Sequence, residues 1–370
     1  MCLGTFGFGD NWKAMMGGIE KKKVREILDA YVDKGGNFVD TALIYQDGES
    51  VEWLGEWLKE KGNRDKLVIA AKYSMPLEKG DINSGGNHRK SLHLAMSKTL
   101  AALQTDYIVC SFPFFSFLFT LPCGLTASLC AFQTQYPAQD ILYVHIWDFV
   151  TPVEEMMRAL DDMVRAGKVL YLGVSDTPAW VVAQANTLAR ERGWTPFVAF
   201  QGKYNPSERE AEADLLPMCS ALGLGYIPWG LQPWCERLTD AIAAATSAAA
   251  TSGQQQQQQQ GVSDPWLAKV VRTVTQVAAQ QGCTPAQAVF AWALHKPAVV
   301  SVLLTCNSVE ALDQCVGALS VRLTRKQSTA IDHAAGFALG YPYKFIGYSY
   351  KTSIWFKKAG TIAQPGDPLY

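Results

Sequence analysis

The chain contains 370 residues with a formal net charge of −1, of which 48% are apolar and 18% are charged. This composition is typical of a globular protein and excludes a disordered chain. The balanced charge argues against a nucleic-acid binder, which would carry a basic face, and gives no reason to expect a membrane-surface protein. The first residues, Met1–Gly4, lack the basic and apolar regions of a secretory signal, so a cytoplasmic location is expected.

The nine cysteines are spread along the chain without CxxC or Cys/His spacing. Metal sites that are built on cysteine require such spacing, so no metal site is expected. An odd and scattered set predicts reduced thiols rather than a disulfide framework.

Apolar, β-branched runs alternate with amphipathic segments of helical period along most of the chain. Four consecutive runs start at 140, 169, 197 and 223, and each spacing of 26 to 29 residues fits one strand plus one helix. The predicted strands are Cys2–Phe6, Asn37–Ala42, Leu67–Tyr73, Asp140–Ile146, Val169–Ser175, Phe197–Tyr204, Gly223–Trp229 and Val299–Cys306. Eight such units predict an α/β protein, a single-domain (β/α)8 TIM barrel over residues 1–370. The alternative is a doubly wound open sheet, but the GxGxxG turn which that fold would place after its first strand is missing.

Amphipathic segments between these strands are predicted to be helices, and several end at a glycine that suits a helix C-terminus. The predicted helices are Lys21–Lys34, Val51–Lys61, Leu92–Leu103, Val153–Ala166, Ala179–Arg192 and Glu208–Leu222. The terminating glycines are Gly35, Gly62, Gly167, Gly193 and Gly223.

Three segments depart from this alternation. Residues 109–139 contain no charged side chain and form a hydrophobic insertion before strand four. Their length permits a membrane span, but Pro113, Pro122 and Gly124 argue against one, and no membrane association is expected. Residues 241–261 end in seven glutamines and predict a low-complexity loop after strand seven, while residues 335–370 form a C-terminal tail.

The insertion at 109–139 has a second interpretation. If these residues are removed, the strand pattern closes without a gap. The Val109 codon begins with GT and the Gln139 codon can be CAG, as at the ends of an intron, so we hypothesise that the segment is a translated intron. The alternative is a genuine insertion. Transcripts that retain this segment in most molecules would favour that alternative.

Four polar side chains stand at the predicted carboxyl ends of neighbouring strands, where barrel active sites lie. Asp40 ends strand two, with Tyr45 just beyond it, Lys72 ends strand three and His145 ends strand four. This set suits carbonyl reduction: Tyr45 would donate a proton, and a Lys72 ammonium would lower its pKa from about 10. Asp40 would hold Lys72 in place, and His145 would orient the carbonyl oxygen. Asp148 is interpreted as a solvated carboxylate.

The motifs around these residues resemble those of the aldo-keto reductase family. They are DTALIY at Asp40–Tyr45, AK at 71–72 and LYVH at Leu142–His145. Longer runs are similar to the fungal branch of aryl-alcohol dehydrogenases and norsolorinic acid reductases: GGNFVDTA at Gly35–Ala42, VHIWDF at Val144–Phe149 and GVSDTPAW at Gly173–Trp180. The resemblance covers nearly the whole chain except 109–139 and 241–261. It implies a TIM barrel that catalyses hydride transfer between NADP(H), or alternatively NAD(H), and a small-molecule carbonyl.

The resemblance also implies a cofactor site across the strand ends. Ser175 and Asp176 fall where the family has a Ser-Asn pair on the carboxamide, and Asp176 departs from it. Trp229 would stack on the nicotinamide, and Trp147 and His145 would face the substrate. The residues implied in cofactor binding are Gly4, Thr5, Asp40, Ser175, Asp176, Gln201, Trp229, Gly230, Thr305, Asn307, Gln314 and Cys315.

Two stretches depart from the family in ways that bear on cofactor binding. The glycine-rich loop expected after Gly230 is replaced by LQPWC at 231–235. Asn307 and Ser308 replace a basic pair that would meet a 2′-phosphate, and losing such a charge-assisted bond costs about 1.5–3 kcal/mol. This loss argues against a preference for NADP. The resemblance still implies NADP(H) as the expected cofactor, with NAD(H) as the alternative.

The function predicted is reduction of an aryl or polyketide-type aldehyde or ketone, or the reverse oxidation, in fungal secondary metabolism. The alternative is a catalytically impaired or regulatory barrel that keeps the fold. No nucleic acid is expected as a partner, and the sequence does not indicate an oligomeric state.

Overall fold

Eight parallel strands alternate with helices in the part of the chain that the structure describes. The computed structural model describes residues 1–105, 141–251, 265–334 and 336–347. The strands are β1 (Cys2–Gly4), β2 (Phe38–Asp40), β3 (Val68–Tyr73), β4 (Ile141–Val144), β5 (Tyr171–Ser175), β6 (Phe197–Lys203), β7 (Gly225–Trp229) and β8 (Leu303–Leu304). Their order in the sheet is β7-β6-β5-β4-β3-β2-β1-β8, and the neighbouring strands pair in parallel.

The two edges of this sheet meet at Tyr226 of β7. Its backbone N–H donates to Ala298 O at 2.7 Å, and its carbonyl accepts from Val300 N at 3.1 Å. Ala298 and Val300 lie just ahead of β8, so this parallel bridge brings β7 and β8 together. The sheet is thus a nearly closed barrel, which confirms the predicted (β/α)8 fold over an open doubly wound sheet.

Helices follow most of the strands and pack on the barrel. They are α1 (Lys13–Met16), α2 (Lys21–Asp33), α3 (Glu49–Lys61), α4 (Arg89–Ala102), α5 (Val153–Arg165), α6 (Ala179–Arg192), α7 (Leu215–Leu222), α8 (Leu231–Thr251), α9 (Pro265–Gln281), α10 (Pro285–Leu294), α11 (Val309–Gly317) and α12 (Arg325–Ala334). Residues 338–347 belong to a separate unit and contain α13 (Tyr343–Ile346). None of the helices in the described ranges is long and apolar enough to cross a membrane.

The glycines predicted to end helices all have left-handed backbones. Their φ angles are 82° at Gly35, 57° at Gly62, 68° at Gly167, 65° at Gly193 and 75° at Gly223. A residue with a Cβ is strained in this conformation, so glycine is favoured directly after a helix. The prediction is confirmed at all five positions.

The side chains of each strand alternate between the barrel interior and the helices. The interior cluster contains Cys2, Phe38, Val68, Ala70, Ile141, Tyr143, Ala199 and Ile227. Moving two residues from an interior position towards the carboxyl end of its strand leads from Phe38 to Asp40, from Ala70 to Lys72, from Tyr143 to His145, from Ala199 to Gln201 and from Ile227 to Trp229. Period-two alternation therefore places these polar and aromatic side chains on the inner face, at one end of the barrel.

Several predicted bounds differ from the structure. Helix α8 runs to Thr251, into the segment 241–261 that the sequence predicts as a loop, because its alanine run has the highest helix propensity. The predicted helix at 208–222 divides into a 3₁₀ turn at Glu210–Glu212 and helix α7. The predictions for 109–139, and for the rest of 241–261 beyond Thr251, lie outside the described residues.

The described cysteines are thiols that form no disulfide bond among the described residues, as predicted: Cys2, Cys219, Cys235, Cys283, Cys306 and Cys315. Cys110, Cys123 and Cys130 lie outside the described residues.

Candidate active site

A buried lysine–aspartate ion pair lies at the carboxyl ends of β2 and β3. The side chains of Lys72 and Asp40 are both 0% exposed, and Lys72 Nζ contacts Asp40 Oδ1. Lys72 Nζ also donates to Thr41 O and to Tyr45 OH, each at 3.2 Å. Three acceptors satisfy the three ammonium protons, which a charge removed from water requires.

Lys72 and Tyr45 influence each other's ionisation. Burial lowers the pKa of Lys72, but the Asp40 carboxylate and Tyr45 outweigh this and raise it above its ordinary value, so Lys72 stays charged. Burial raises the pKa of Tyr45, and the Lys72 charge only partly opposes this shift. The sequence-based expectation of a lowered Tyr45 pKa is therefore wrong in sign, because desolvation is the larger effect. At neutral pH, Tyr45 keeps its hydroxyl proton.

His145 follows the last residue of β4 and faces Tyr45. The two ring centroids are 5.8 Å apart and the ring planes meet at 78°. Burial, and then the charge on Lys72, lowers the pKa of His145 to about 3. The imidazole is therefore neutral at physiological pH and can donate one hydrogen bond without carrying a charge.

Gln201 of β6 joins this group from the opposite wall of the barrel. Its Nε2 donates to Asp40 Oδ2 at 2.9 Å, and the side chain is buried. Ser175, which is also buried, pairs with Gln201 across β5 and β6. The structure thus brings together Asp40, Tyr45, Lys72, His145 and Gln201.

Trp229, at the end of β7, has one contact at the edge of its indole ring and another on its face. Its Nε1 donates to Asp176 Oδ1 at 3.2 Å, and Lys203 Nζ lies 5.7 Å from its ring centroid. Asp176 has a φ of 40°, an uncommon left-handed backbone for a residue with a Cβ. Trp147, which is buried, donates its backbone N–H to Asp176 O at 3.5 Å. These contacts fix an aromatic ring beside the buried polar group.

Gly4, Thr5 and Thr305 lie at the ends of β1 and β8. Thr5 N donates to Asp40 O at 2.9 Å. Ser50 Oγ lies 2.7 Å from Thr5 Oγ1, and this contact was not predicted from the sequence. A Cβ on Gly4 would stand 3.2 Å from Thr305 Cγ2, so glycine allows the close approach there. These residues continue the site towards β8.

The structure does not bring the remaining predicted cofactor residues to the buried group. Asn307 and Gln314 are exposed on the β8–α11 side, and Cys315 contacts Gln232 Oε1 at 3.4 Å. Gly230 has a φ of 87°, and α8 starts at the next residue, so a helix occupies the position of the expected glycine-rich loop. Ser308 is the N-cap of α11 and accepts from Ala311 N at 3.2 Å.

The residues present fit one end of a nicotinamide cofactor better than the other. Near the buried group stand a fixed indole, Trp229, and the polar side chains of Ser175 and Gln201, which suit an aromatic ring that bears an amide. Asn307 and Ser308, at the positions that the resemblance assigns to a 2′-phosphate, are uncharged and offer it no cation.

Asn87, Ser74 and Asp148 form a polar network beside His145 that sequence reasoning missed. Asp148, interpreted as a solvated carboxylate, is half-buried and also accepts hydrogen bonds from Asn87, Val150 and Thr151. The spacing Asp148-x-x-Thr151 is typical of a turn capped by an Asp side chain and was the available signal.

The sequence model of the Aldo/keto reductase family matches residues 1–112 and 124–335. The unmatched residues 113–123 fall inside the segment interpreted as an insertion. The chain is 35% identical to norsolorinic acid reductase of Aspergillus flavus, over 96% of this chain and 84% of that protein. It is 34% identical to an aryl-alcohol dehydrogenase of Pestalotiopsis microspora, over 94% of this chain and 82% of that protein. It is 36% identical to the aldo-keto reductase ausK of Aspergillus calidoustus, over 93% of this chain and 81% of that protein.

Proposed function

The chain belongs to the aldo/keto reductase family, and we propose that it uses a nicotinamide cofactor to reduce an aryl or polyketide-type aldehyde or ketone to the alcohol, or catalyses the reverse oxidation. The observation that carries this proposal is the buried contact of Lys72 with both Asp40 and Tyr45, beside the neutral ring of His145. We propose NADP(H) as the cofactor, with NAD(H) as the alternative.

Each side chain has one role in the proposed reaction. A bound reduced nicotinamide supplies the hydride that the carbonyl carbon accepts. Tyr45, protonated and desolvated, donates its hydroxyl proton to the carbonyl oxygen as that oxygen gains negative charge. Lys72 Nζ, 3.2 Å from Tyr45 OH, stabilises the phenolate that remains, and Asp40 keeps Lys72 in position. His145 donates a hydrogen bond that polarises the carbonyl and orients it towards Tyr45.

Apolar side chains around the site support an aromatic substrate. Phe6 packs against Tyr45 with ring centroids 5.2 Å apart and is 37% exposed, so part of its side chain remains accessible. Trp147 and Trp229 add two further rings at the strand ends. Flat apolar walls around a small polar group favour a carbonyl that is attached to an aromatic system. Secondary metabolism and a cytoplasmic location are part of the same proposal.

A catalytically impaired barrel is the second candidate function. Two observations favour it: no cation stands at 307 or 308, and α8 starts directly after Gly230. Both concern residues other than Asp40, Tyr45, Lys72 and His145, so they would weaken nucleotide binding rather than proton transfer.

One pair of measurements separates these candidates. We expect the purified chain to bind NADPH or NADH saturably in a fluorescence titration and to reduce benzaldehyde. Tyr45→Phe should lower kcat by at least about a hundredfold, the size of a general-acid contribution, and change nucleotide affinity little. Tyr31→Phe is the matched control, because Tyr31 is a buried tyrosine that bonds Met1 O and Phe38 O at the other end of the barrel. Failure of the folded chain to bind either nucleotide, or binding without turnover, would favour the impaired barrel. Unchanged turnover in Tyr45→Phe would contradict the role of Tyr45.

A further inference from the structure

Asn87 is a fully buried side chain that ties together the segments following β3 and β4. Its Nδ2 donates to Ser74 Oγ at 2.8 Å and to Ile146 O at 2.9 Å. Its Oδ1 accepts from Asp148 N at 2.8 Å. Both amide protons and the amide oxygen are therefore used, and neither aspartate nor leucine could reproduce this pattern.

Ser74 connects this amide to His145. The backbone N–H of His145 donates to Tyr73 O at 2.9 Å and lies 3.3 Å from Ser74 Oγ, the atom that also accepts from Asn87. Ser74 is buried and has a φ of 112°, which strains a residue that has a Cβ. Two bonds hold it there: Asn87 Nδ2 donates to Ser74 Oγ at 2.8 Å, and Gly86 N donates to Ser74 O at 2.7 Å.

Asp148 fixes the far side of the same segment. Its carboxylate accepts from Asn87 N at 2.7 Å, from Val150 N and Thr151 N at 2.9 Å each, and from Thr151 Oγ1 at 2.6 Å. Burial raises the pKa of Asp148, but these bonds outweigh it and hold the pKa below its ordinary value. Asp148 therefore stays ionised at neutral pH and keeps all four bonds.

The strand ladder stops at Val144, one residue before His145. The backbone of 145–148 is held instead at four groups: the His145 N–H, the Ile146 carbonyl, the Trp147 N–H and the Asp148 N–H. Asn87 bonds the Ile146 and Asp148 groups directly. We propose that Asn87 is a positioning residue that, with Ser74 and Asp148, fixes the His145 ring over Tyr45 for carbonyl activation. The inference rests on the proposed function, because it concerns the role that His145 has there.

A double-mutant cycle tests this inference. Asn87→Ala should lower kcat for benzaldehyde by at least about tenfold, because misplacing a reacting group by an ångström is costly, while nucleotide affinity changes less than about twofold. In a His145→Ala background the same substitution should change kcat by less than about twofold, because the ring that it positions is gone. An equal loss in both backgrounds would overturn the proposal, since it would mean that Asn87 only stabilises the fold.

Asn186 provides the matched control. It is also fully buried, and its amide exchanges bonds of 3.0 and 2.8 Å with the backbone of Phe197, at the start of β6 and therefore at the other end of the barrel. Asn186→Ala should lower the free energy of unfolding, as Asn87→Ala does, but leave kcat within about twofold of the wild type. Should Asn87→Ala fail to fold, Ser74→Ala removes the hydroxyl beside His145 without changing the backbone requirement, and it should show the same dependence on His145.

Histidine NMR gives a readout that does not need turnover. The chain has five histidines, and His145→Gln identifies the Cε1–Hε1 signal of His145. Asn87→Ala should shift or broaden that signal, and Asn186→Ala should not. If the wild-type chain reduces no carbonyl, the proposed function fails while this spectrum still tests the positioning. An unmoved His145 signal in Asn87→Ala would overturn the inference alone.

Discussion

Gln201 donates from Nε2 to Asp40 Oδ2 at 2.9 Å, so the carboxylate that holds Lys72 is itself held from the opposite wall of the barrel. The resemblance to the aldo-keto reductases implies that Gln201 also binds the cofactor. One Nε2 proton is committed to Asp40, so the second Nε2 proton and Oε1 remain available to a carboxamide. Gln201 thus connects the proposed cofactor site to the ion pair.

Gln201→Leu should destabilise the protein. It removes the donor to a fully buried carboxylate oxygen, and an unsatisfied buried acceptor costs about 1–3 kcal/mol of unfolding free energy. Urea denaturation measures this loss. Gln281→Leu is the control, because Gln281 bonds Gln327 near the surface of α9, and it should cost less than about 0.5 kcal/mol. Equal stability of Gln201→Leu and wild type would contradict the importance of this bond.

The lowered pKa of His145 predicts an acid-sensitive stability. The folded protein binds a proton at His145 only near pH 3, whereas the unfolded chain binds one near pH 6.5. As the pH falls from 6.5 towards 3, the unfolded state therefore takes up a proton that the folded state does not. Stability should fall by at most about 1.4 kcal/mol per pH unit from this group.

His145→Gln should remove the part of the acid-dependent loss of stability that is due to His145. Urea unfolding at several pH values between 4 and 7 should give the variant a flatter profile than the wild type. His93→Gln, on the exposed side of α4, is the matched control and should keep the wild-type slope. Parallel profiles for wild type and His145→Gln would show that the burial of His145 does not govern its ionisation.

Gly55→Ala should destabilise the protein although it favours helix formation. Gly55 lies inside α3, where alanine normally gains about 1 kcal/mol. A Cβ at this position would stand 2.1 Å from Ala102 O and 2.8 Å from Leu103 Cα, so α4 would have to move. The expected net loss is about 1–3 kcal/mol by thermal or urea unfolding. Glu52→Ala, on the exposed face of α3, should be nearly neutral, and a stabilised Gly55→Ala would contradict the close approach.

Asp176→Asn should change the preference between oxidised and reduced cofactor. If the nicotinamide lies against Trp229, the Asp176 carboxylate favours the oxidised ring, which is cationic. Asparagine keeps an acceptor for Trp229 Nε1 but loses the charge. The ratio of the Kd of NADP⁺ to that of NADPH should rise by roughly fivefold, or about 1 kcal/mol, in calorimetric titrations. Asp162→Asn, on α5, is the charge control, and an unchanged ratio in Asp176→Asn would place the nicotinamide elsewhere.

The polar side chains that meet at the strand ends could be predicted from the sequence, because their placement follows from local patterns. Period-two alternation places Asp40, Lys72 and His145 on one face, and parallel strands bring their carboxyl ends together. The pairing of Asn87 with Asp148 could not be predicted, because 61 residues separate them and no repeating pattern connects a loop to its distant partner. The sign of the Tyr45 pKa shift also required three dimensions, since it depends on how completely the ring is buried.

The ends of a helix or strand can be predicted from the sequence where local signals determine them. Helix α6 has the predicted bounds, because its glycine cap and apolar face are both local. The sequence predicts the apolar run at 299–306 as one strand. In the structure, different parts of this run pair with two different strands. Val299 bridges to β7, and Leu303–Leu304 pairs with β1. An apolar run shows that a segment is buried, but not against which strand.

The ion pair of Lys72 and Asp40 also bears on how the chain selects its native strand alignment. With β2 and β3 aligned as Asp40 beside Ala70, the ammonium finds three acceptors. A shift of β3 by one residue would turn Lys72 away from the barrel interior and leave the Asp40 carboxylate there without its cation. An uncompensated buried charge costs about 3–5 kcal/mol, a large share of the stability of an average domain. Misaligned barrels are thus disfavoured by the same ion pair that would stabilise Tyr45 after it gives up its proton.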